Sequence, residues 1–405
     1  MLGDIGVDTL DYSSSNAGVS VSLTTAILSG GHATGDDIID PSTGRVSFEN
    51  LRGSIFGDVL EGTAGINVLE GRDGDDQLIG LGSSDSLFGG AGNDTLDGGS
   101  GSDLLVGGAG GDIISGGSGR DMVDYSDSDA AVTVLLNVIA IGGHADGDVL
   151  TGIEDATGSD FDDFLQGTNG GNSLLGGDGF DFLRGAGGND ILFGGEADDL
   201  IEGGAGADTL DGGGGTGDLI SLLDATAPVT LDLSNVAASS AEHASDVFIN
   251  MEGALGSQSF SNTMIGTGAA ESFIGGTQGD SMVGNGGDDA LLALAGNDTL
   301  DGGAGLDAFL GGLGDDRHTG GTGADTFLFE FNSGADVITD FTIAEGDFIL
   351  FFGNQFTGPS DITVGTVAGT TDAILSWGSV AAPSSVILEG VTEADVNANF
   401  VFLVA

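Results

Sequence analysis

Residues 53–124 read GSIFGDVLE, GTAGINVLE, GRDGDDQLI, GLGSSDSLF, GGAGNDTLD, GGSGSDLLV, GGAGGDIIS and GGSGRDMVD, a run of nines without a gap. The sixth position is acidic or Asn throughout: Asp58, Asn67, Asp76, Asp85, Asp94, Asp103, Asp112 and Asp121. The eighth is always apolar: Leu60, Leu69, Leu78, Leu87, Leu96, Leu105, Ile114 and Val123. A fixed period of this kind marks a repeat architecture, in which each repeat buries its apolar residue only by stacking on its neighbours.

The pattern returns twice. From Gly158 it runs through Asp163, Asn172, Asp181, Asp190, Asp199 and Asp208, with one extra residue in 212–215 before Asp218. From Ser257 it runs through Asn262, Glu271, Asp280, Asp289, Asp298, Asp307, Asp316 and Asp325. The repeats resemble the nonapeptide GGxGxDxUx of the RTX, or haemolysin-type calcium-binding, family. GGAGNDTLD (89–97) and GGAGADTLD (203–211) fit it fully, and the resemblance covers a little over half the chain. It implies an all-β fold of right-handed parallel β-roll blocks stacked in a solenoid.

One repeat shows why. In Gly89–Asp97, glycines at the first, second and fourth positions permit positive φ and leave no side chain in the way. The first six residues are expected to form a tight loop. The last three, Thr95, Leu96 and Asp97, are expected to form a short strand with Leu96 inward. Two repeats per coil then give two sheets with the eighth-position side chains between them. Residues eighteen apart stack, so Asp76, Asp94 and Asp112 form one column and Asp85, Asp103 and Asp121 the other. Each column is a ladder of like charges at strand spacing, roughly 4.8 Å.

Composition says that something cationic must accompany that ladder. The chain of 405 residues has 64 Asp and Glu against 6 basic residues, all Arg, for a formal net charge of -58. Such a chain repels nucleic acid and anionic membranes, and repels itself when compact. A solvated acidic surface, as in halophiles, or a disordered acidic chain is the other reading of this charge, but the acids here are regularly spaced. Its 80 Gly and 4 Pro lack the strict triplet of collagen. Cys is absent, so the staple of a long secreted chain must be something other than disulfides.

Calcium fits. It is a hard cation that takes six to eight oxygens at roughly 2.3–2.6 Å. Magnesium demands a tighter octahedron and keeps its water, and zinc wants Cys or His. The candidate ligands are Asp76, Asp85, Asp94, Asp103, Asp112 and Asp121 in the first block. The second block offers Asp181, Asp190, Asp199 and Asp208, and the third Asp280, Asp289, Asp298, Asp307, Asp316 and Asp325. The family resemblance implies that each ion is shared between consecutive turns on one edge. It adds carbonyls of Gly89, Ala91, Gly98, Ser100, Gly107 and Ala109 as backbone ligands. Metal binding to the folded coil alone makes binding energy into folding energy. Extracellular calcium modules have dissociation constants of roughly 10⁻⁴–10⁻³ M, so the chain is expected to fold outside the cell and stay unfolded in the cytosol.

The blocks sit in a longer period. Residues 1–52 read as the end of an upstream roll, Gly3–Asp11, plus connecting strands; further connecting strands are expected at 125–157 and 222–256. Roll blocks occupy 53–124, 158–221 and 257–328. VSVSL (19–23), VTVLL (132–136) and VTLDL (229–233) alternate, and are expected to continue the stack. Each connecting segment carries a His in matching context: His32, His144 and His243, with Asp36, Asp146, Asp148 or Asp246 nearby. These are either metal ligands or turn residues copied by duplication. His318 occupies an inward eighth position and reads as a tolerated defect. The first nonapeptide suggests that the chain begins inside a longer protein.

Residues 329–405 are Phe-rich and resemble the cap that follows the rolls in RTX proteins such as serralysin-type proteases. Asp336, Asp340 and Asp347 there are either further calcium ligands or solvated turns. Val386–Ala405 resembles an uncleaved type I secretion signal, in keeping with an N-terminus that has no signal-peptide pattern. No apolar run reaches membrane-spanning length.

No catalytic motif appears: there is no HExxH, GxSxG or GxxxxGK, and no Cys or Lys nucleophile. No enzyme is expected. The leading reading is a secreted bacterial protein with a structural or adhesive role at the cell surface, partnered by calcium, the type I secretion machinery, itself or surface polysaccharide. The alternative is the secretion and folding region of a larger secreted enzyme or toxin. A calcium buffer or polysaccharide-binding module is a third. The super-repeat of about 100 residues favours the first, because enzyme tails in this family usually carry a single block.

Overall fold

Leu87 stands between Leu69 and Leu105, and Leu96 between Leu78 and Ile114, in parallel register. One coil is therefore two repeats, and consecutive repeats fall on opposite sheets. Val68–Asp73, Ser86–Ala91 and Leu104–Ala109 belong to one sheet; Gln77–Gly82, Thr95–Gly101 and Ile113–Gly119 belong to the other. The eighth-position side chains from Leu60 to Val123 fill the space between them and are fully buried. Burial of each Leu stabilises the stack by roughly 1.5–3 kcal/mol.

These facts come from a computed structural model that describes residues 7–40, 45–46, 48–235, 237–238, 245–353, 361–379, 382–399 and 403–404. His243, the start of Gly3–Asp11, and Phe400–Phe402 with Ala405 of the terminal stretch lie outside the described residues. The chain forms two compact units. The first is residues 1–205 with 213–215, and the second is 206–212 with 216–405. Each is an all-β parallel solenoid. Among the described residues, no helix is long and apolar enough to cross a membrane.

Some strands, such as Phe182–Arg184 and Ala308–Leu310, keep the expected three residues, and others are longer. Ser86–Ala91 and Thr95–Gly101 run from the seventh position into the third or fourth of the next repeat. The turn shrinks accordingly. Glycine makes this possible, because the coils approach too closely for a side chain. A Cβ on Gly110 (φ +144°) would lie 1.6 Å from the Gly92 carbonyl oxygen.

Each connecting segment enters the stack by a strand that folds back on itself, and then rejoins it: Val149–Thr151 and Asp155–Thr157 pair parallel with Ile113–Gly119 and Met122–Asp124. Thr133–Leu135 pairs parallel with Phe164–Gln166 and antiparallel with Ile139–Ile141. Ser20–Ser22 pairs in the same way with Val59–Glu61 and Ile27–Ser29. In the second compact unit, Val229–Asp232 pairs with Asn262–Ile265 and Ala237–Ala238. The antiparallel return is a hairpin that alternation alone did not distinguish from another rung.

At the C-terminal end, Thr326–Phe329 pairs with Phe348–Phe351, and Ala335–Ile338 with Ala382–Thr392. The last of these turns back antiparallel on Asp372–Ser379. Phe329, Phe351 and Trp377 close the core there, with ring centroids 4.9–6.0 Å apart. The Trp377 indole N–H donates to the Glu330 carbonyl at 2.9 Å.

Candidate metal centre

Between strands, the sixth residue of each repeat turns the corner, and its N–H has no strand partner. The carboxylate one coil later supplies one. Asp76 N–H donates to Asp94 Oδ1 at 2.7 Å, and Asp94 N–H to Asp112 Oδ1 at 2.8 Å. On the other edge, Asp85 N–H donates to Asp103 Oδ1 at 2.7 Å, and Asp103 N–H to Asp121 Oδ1 at 2.9 Å. The two columns expected from the repeat are both present, and each carboxylate is also a rung of the backbone ladder. That second duty was not read from the sequence.

The other blocks repeat the arrangement. Asp181 accepts from Asp163 N–H, and Asp190 from Asn172 N–H. Asp181 N–H in turn donates to Asp199, and Asp208 N–H donates to Asp246. In the third block, Asp280, Asp298 and Asp316 form one column, and Asp289, Asp307 and Asp325 the other. All sixteen candidate carboxylates are buried, none more than 3% exposed.

The second oxygen tells whether a cation fits. Oδ2 of Asp76, Asp85, Asp94, Asp103, Asp112, Asp121, Asp181, Asp289, Asp298, Asp307 and Asp325 is buried without a hydrogen-bond partner. A buried acceptor left this way costs free energy, more so when charged. Burial, and then the charges of neighbouring rungs, push the carboxyls up: Asp76 and Asp112 to about 7, Asp94 to about 6, Asp181 to about 8. The ion pairs of Arg52, Arg120, Arg184 and Arg317 are made with Glu70, Asp155, Glu202 and Glu389, outside the candidate carboxylates.

The surroundings of these oxygens suit calcium. The point where a Cβ of Gly89 would sit is 2.4 Å from Asp94 Oδ2 and 2.5 Å from the Gly107 carbonyl oxygen. Gly80 sees Asp85 Oδ2 at 2.4 Å and the Gly98 carbonyl at 2.7 Å in the same way. So a carboxylate and a carbonyl of the next coil face one glycine on either edge. The Ala91 and Ala109 carbonyls accept from Gly74 and Gly92 N–H at 2.7 and 2.8 Å, which leaves each a lone pair. These carbonyls, with that of Ser100, lie on strand ends rather than in loops. Among the described residues no three His, Asp or Glu side chains converge on a metal-sized point. Any ion must take most of its ligands from the main chain, as hard-oxygen calcium sites can.

Some carboxylates are already satisfied. Asp280 Oδ2 accepts from Gly276 N–H at 2.8 Å. Asp148 continues the Asp112 column, and the buried Tyr125 hydroxyl donates to its Oδ2 at 2.8 Å. Asp336 and Asp347 close the third-block columns, with Oδ2 taken by the Ser333 hydroxyl at 2.9 Å and Thr342 N–H at 2.6 Å. Asp340 accepts from Gly320 and Gly321 N–H at 2.9 and 2.8 Å. Asp336 and Asp347 thus close the columns, and Asp340 caps main-chain N–H groups of the last coil.

The matching histidines sit in matching short helical turns, Gly31–Ala33 and Gly143–Ala145. In each, the backbone N–H of the His donates to a serine hydroxyl at 3.0 Å, His32 to Ser15 and His144 to Ser128. The duplicated contact is made by main chain rather than imidazole. His318 is fully buried with Phe309, Phe327 and Phe329 around it, and neither ring nitrogen has a partner.

No curated protein sequence matches the chain. Among solved structures, the crystal structure of extracellular lipase LipA from Serratia marcescens matches at 18% identity and a TM-score of 0.23. The match covers 64% of this chain and 41% of the lipase, and no argument rests on so slight a likeness. The family model for the RTX calcium-binding nonapeptide repeat (4 copies) matches 52–87, 88–123, 148–183, 157–192, 184–219, 265–300, 283–317 and 292–327. These matches span just over half the chain and coincide with the coils whose edges carry the orphaned carboxylates. The chain belongs to the RTX calcium-binding nonapeptide repeat family.

Proposed function

We propose that this chain is a secreted bacterial protein that folds on calcium outside the cell and serves a structural or adhesive role, in a surface layer, a biofilm matrix or a filament. The observation that carries the calcium reading is the pair of edges lined with buried carboxylate oxygens that no protein group satisfies. The candidate ligands are the sixteen sixth-position aspartates and the six first-block carbonyls named above, with Asp280 the weakest of them. Calcium held by these oxygens would supply the positive charge that neutralises the rungs. Three roll blocks, at 53–124, 158–221 and 257–328, are followed by a Phe-rich cap at 329–405 that covers the open sheet edges and carries a type I secretion signal.

The structural role rests on repetition: three blocks and their connecting hairpins reuse one design, and no catalytic constellation was read from the sequence. Electron microscopy of the purified protein tests it. Ordered sheets or fibres in millimolar calcium, lost in chelator, support the role. Dispersed monomers in both, together with a hydrolase domain encoded in the same gene, would assign the chain to the folding and secretion region of an enzyme.

A further inference from the structure

The repeats come in two backbone states. In most, the second-position residue lies at positive φ: Arg72 (+90°), Leu81 (+83°), Gly90 (+114°), Gly99 (+98°), Gly108 (+91°) and Gly117 (+103°). The sixth-position Oδ2 of each of these repeats, Asp76 to Asp121, is orphaned. Gly177, Asn285, Leu294, Gly303 and Gly321 show the same pairing of positive φ with an orphaned Asp181, Asp289, Asp298, Asp307 and Asp325. Arg72, Leu81, Asn285 and Leu294 hold this conformation although L side chains avoid it, and such outliers persist only where surroundings demand them.

The opening repeats of each block differ. Ser54 N–H donates to Asp58 Oδ2 at 2.5 Å, and the Ser54 hydroxyl to Oδ1 at 3.0 Å. Thr63 N–H donates to Asn67 Oδ1 at 2.7 Å, with its hydroxyl at 3.3 Å. The second block repeats this with Ser159 on Asp163 and Thr168 on Asn172, the Ser159 hydroxyl at 2.9 Å and Thr168 N–H at 2.7 Å. The third opens with Ser257 N–H on Asn262 at 2.9 Å, from one residue further back, and Thr267 N–H on Glu271 at 3.1 Å. None of Ser54, Thr63, Ser159, Thr168 or Thr267 has positive φ among the described residues.

We propose that the first two repeats of the first and second blocks hold no ion, because Ser54, Thr63, Ser159 and Thr168 place their own N–H and hydroxyl where a cation would act. In these two blocks a Ser or Thr at the second position thus marks a metal-free starter coil, on which the calcium-dependent coils grow. The inference rests on the calcium reading above and divides the repeats into those that need the ion and those that do not. Asp58 and Asp163 carry the family's acidic residue, so sequence pattern alone would count them as sites.

Crystals of the full chain grown in calcium test this by the anomalous scattering of calcium. Peaks are expected beside Asp76 through Asp121 and beside Asp181, and none beside Asp58, Asn67, Asp163 or Asn172. Ions beside the starter residues would overturn the inference and leave the calcium reading standing; no ions anywhere would sink both. Leu81→Thr is the second arm. Leu81 is partly exposed, and a β-branched residue resists positive φ more than Leu does, so the repeat should switch to the starter state. Metal analysis of the dialysed protein should then show at least one ion fewer per chain, with the fold retained by circular dichroism. An unchanged ion count in a folded Leu81→Thr protein would overturn the assignment.

Discussion

The cost of Asp94→Asn should grow with calcium. The amide keeps the Oδ1 that accepts Asp76 N–H at 2.7 Å, so the ladder survives. It removes the charge and the ligand. Without metal, the Asp94 carboxyl is pushed up to about 6, first by burial and then by the charges of Asp75 and Asp148. A folded-state value above the ordinary 3.8 means that ionisation near neutral pH opposes folding. Two units correspond nominally to about 3 kcal/mol, and solvent screening at the stack edge cuts this to roughly 1–2 kcal/mol. The variant should therefore gain that amount over wild type while the site is empty, as at the lowest calcium that still folds the chain. In about 10 mM free calcium, one site of family-typical affinity contributes roughly 1.4–2.7 kcal/mol, and the variant loses it. Thermal melts by far-ultraviolet circular dichroism, run near neutral pH at the lowest calcium that folds the chain and at about 10 mM, read the difference. Equal destabilisation at the low and the high calcium level would refute the reasoning, since it would mean that Asp94 acts only as a hydrogen-bond acceptor.

Leu96→Ala should raise the calcium needed for folding and lower stability by about 3 kcal/mol in a melt, because Leu96 is fully buried between two sheets. Gly110→Ala should disrupt the first block by several kcal/mol on the clash with Gly92, whereas Gly268→Ala, with nothing near its missing Cβ, should stay within about 0.5 kcal/mol of wild type. His318→Leu should stabilise the third block by roughly 1–3 kcal/mol, since it replaces two unsatisfied nitrogens in an aromatic cage. Burial pushes the His318 imidazole down to about 4, so the unfolded chain takes up the proton first as pH falls. Wild type should lose up to about 3 kcal/mol relative to His318→Leu between roughly pH 6.5 and 4; parallel melting curves of the two proteins over that range would contradict this.

Much of this molecule was legible before any coordinates. The period of nine with Leu87 and Leu96 inward carries the two-sheet coil, because a repeat that buries one residue can do so only by stacking. The spacing of Asp76, Asp94 and Asp112 placed them on one edge for the same reason. Long-range hydrogen bonding was not legible. That Asp94 Oδ1 belongs to the Asp76 N–H depends on how a turn one coil away presents its amide. The closing role of Tyr125 is also remote, with Asp148 23 residues away, whereas Ser333 and Thr342 lie only a few residues from the Asp336 and Asp347 they satisfy. The local signal that could have been read is the Ser and Thr of GSIFGD and GTAGIN, repeated as GSDFDD and GTNGGN. A consensus glycine hides such substitutions as tolerated variation, although they mark a different turn.

The most direct test of the central claim is far-ultraviolet circular dichroism of metal-stripped protein during a calcium titration. The account predicts little β structure in chelator and a cooperative gain in the millimolar range, since each ion removes charge from a rung that its neighbours need. A stripped protein with undiminished β signal and an unaltered melting curve would contradict it.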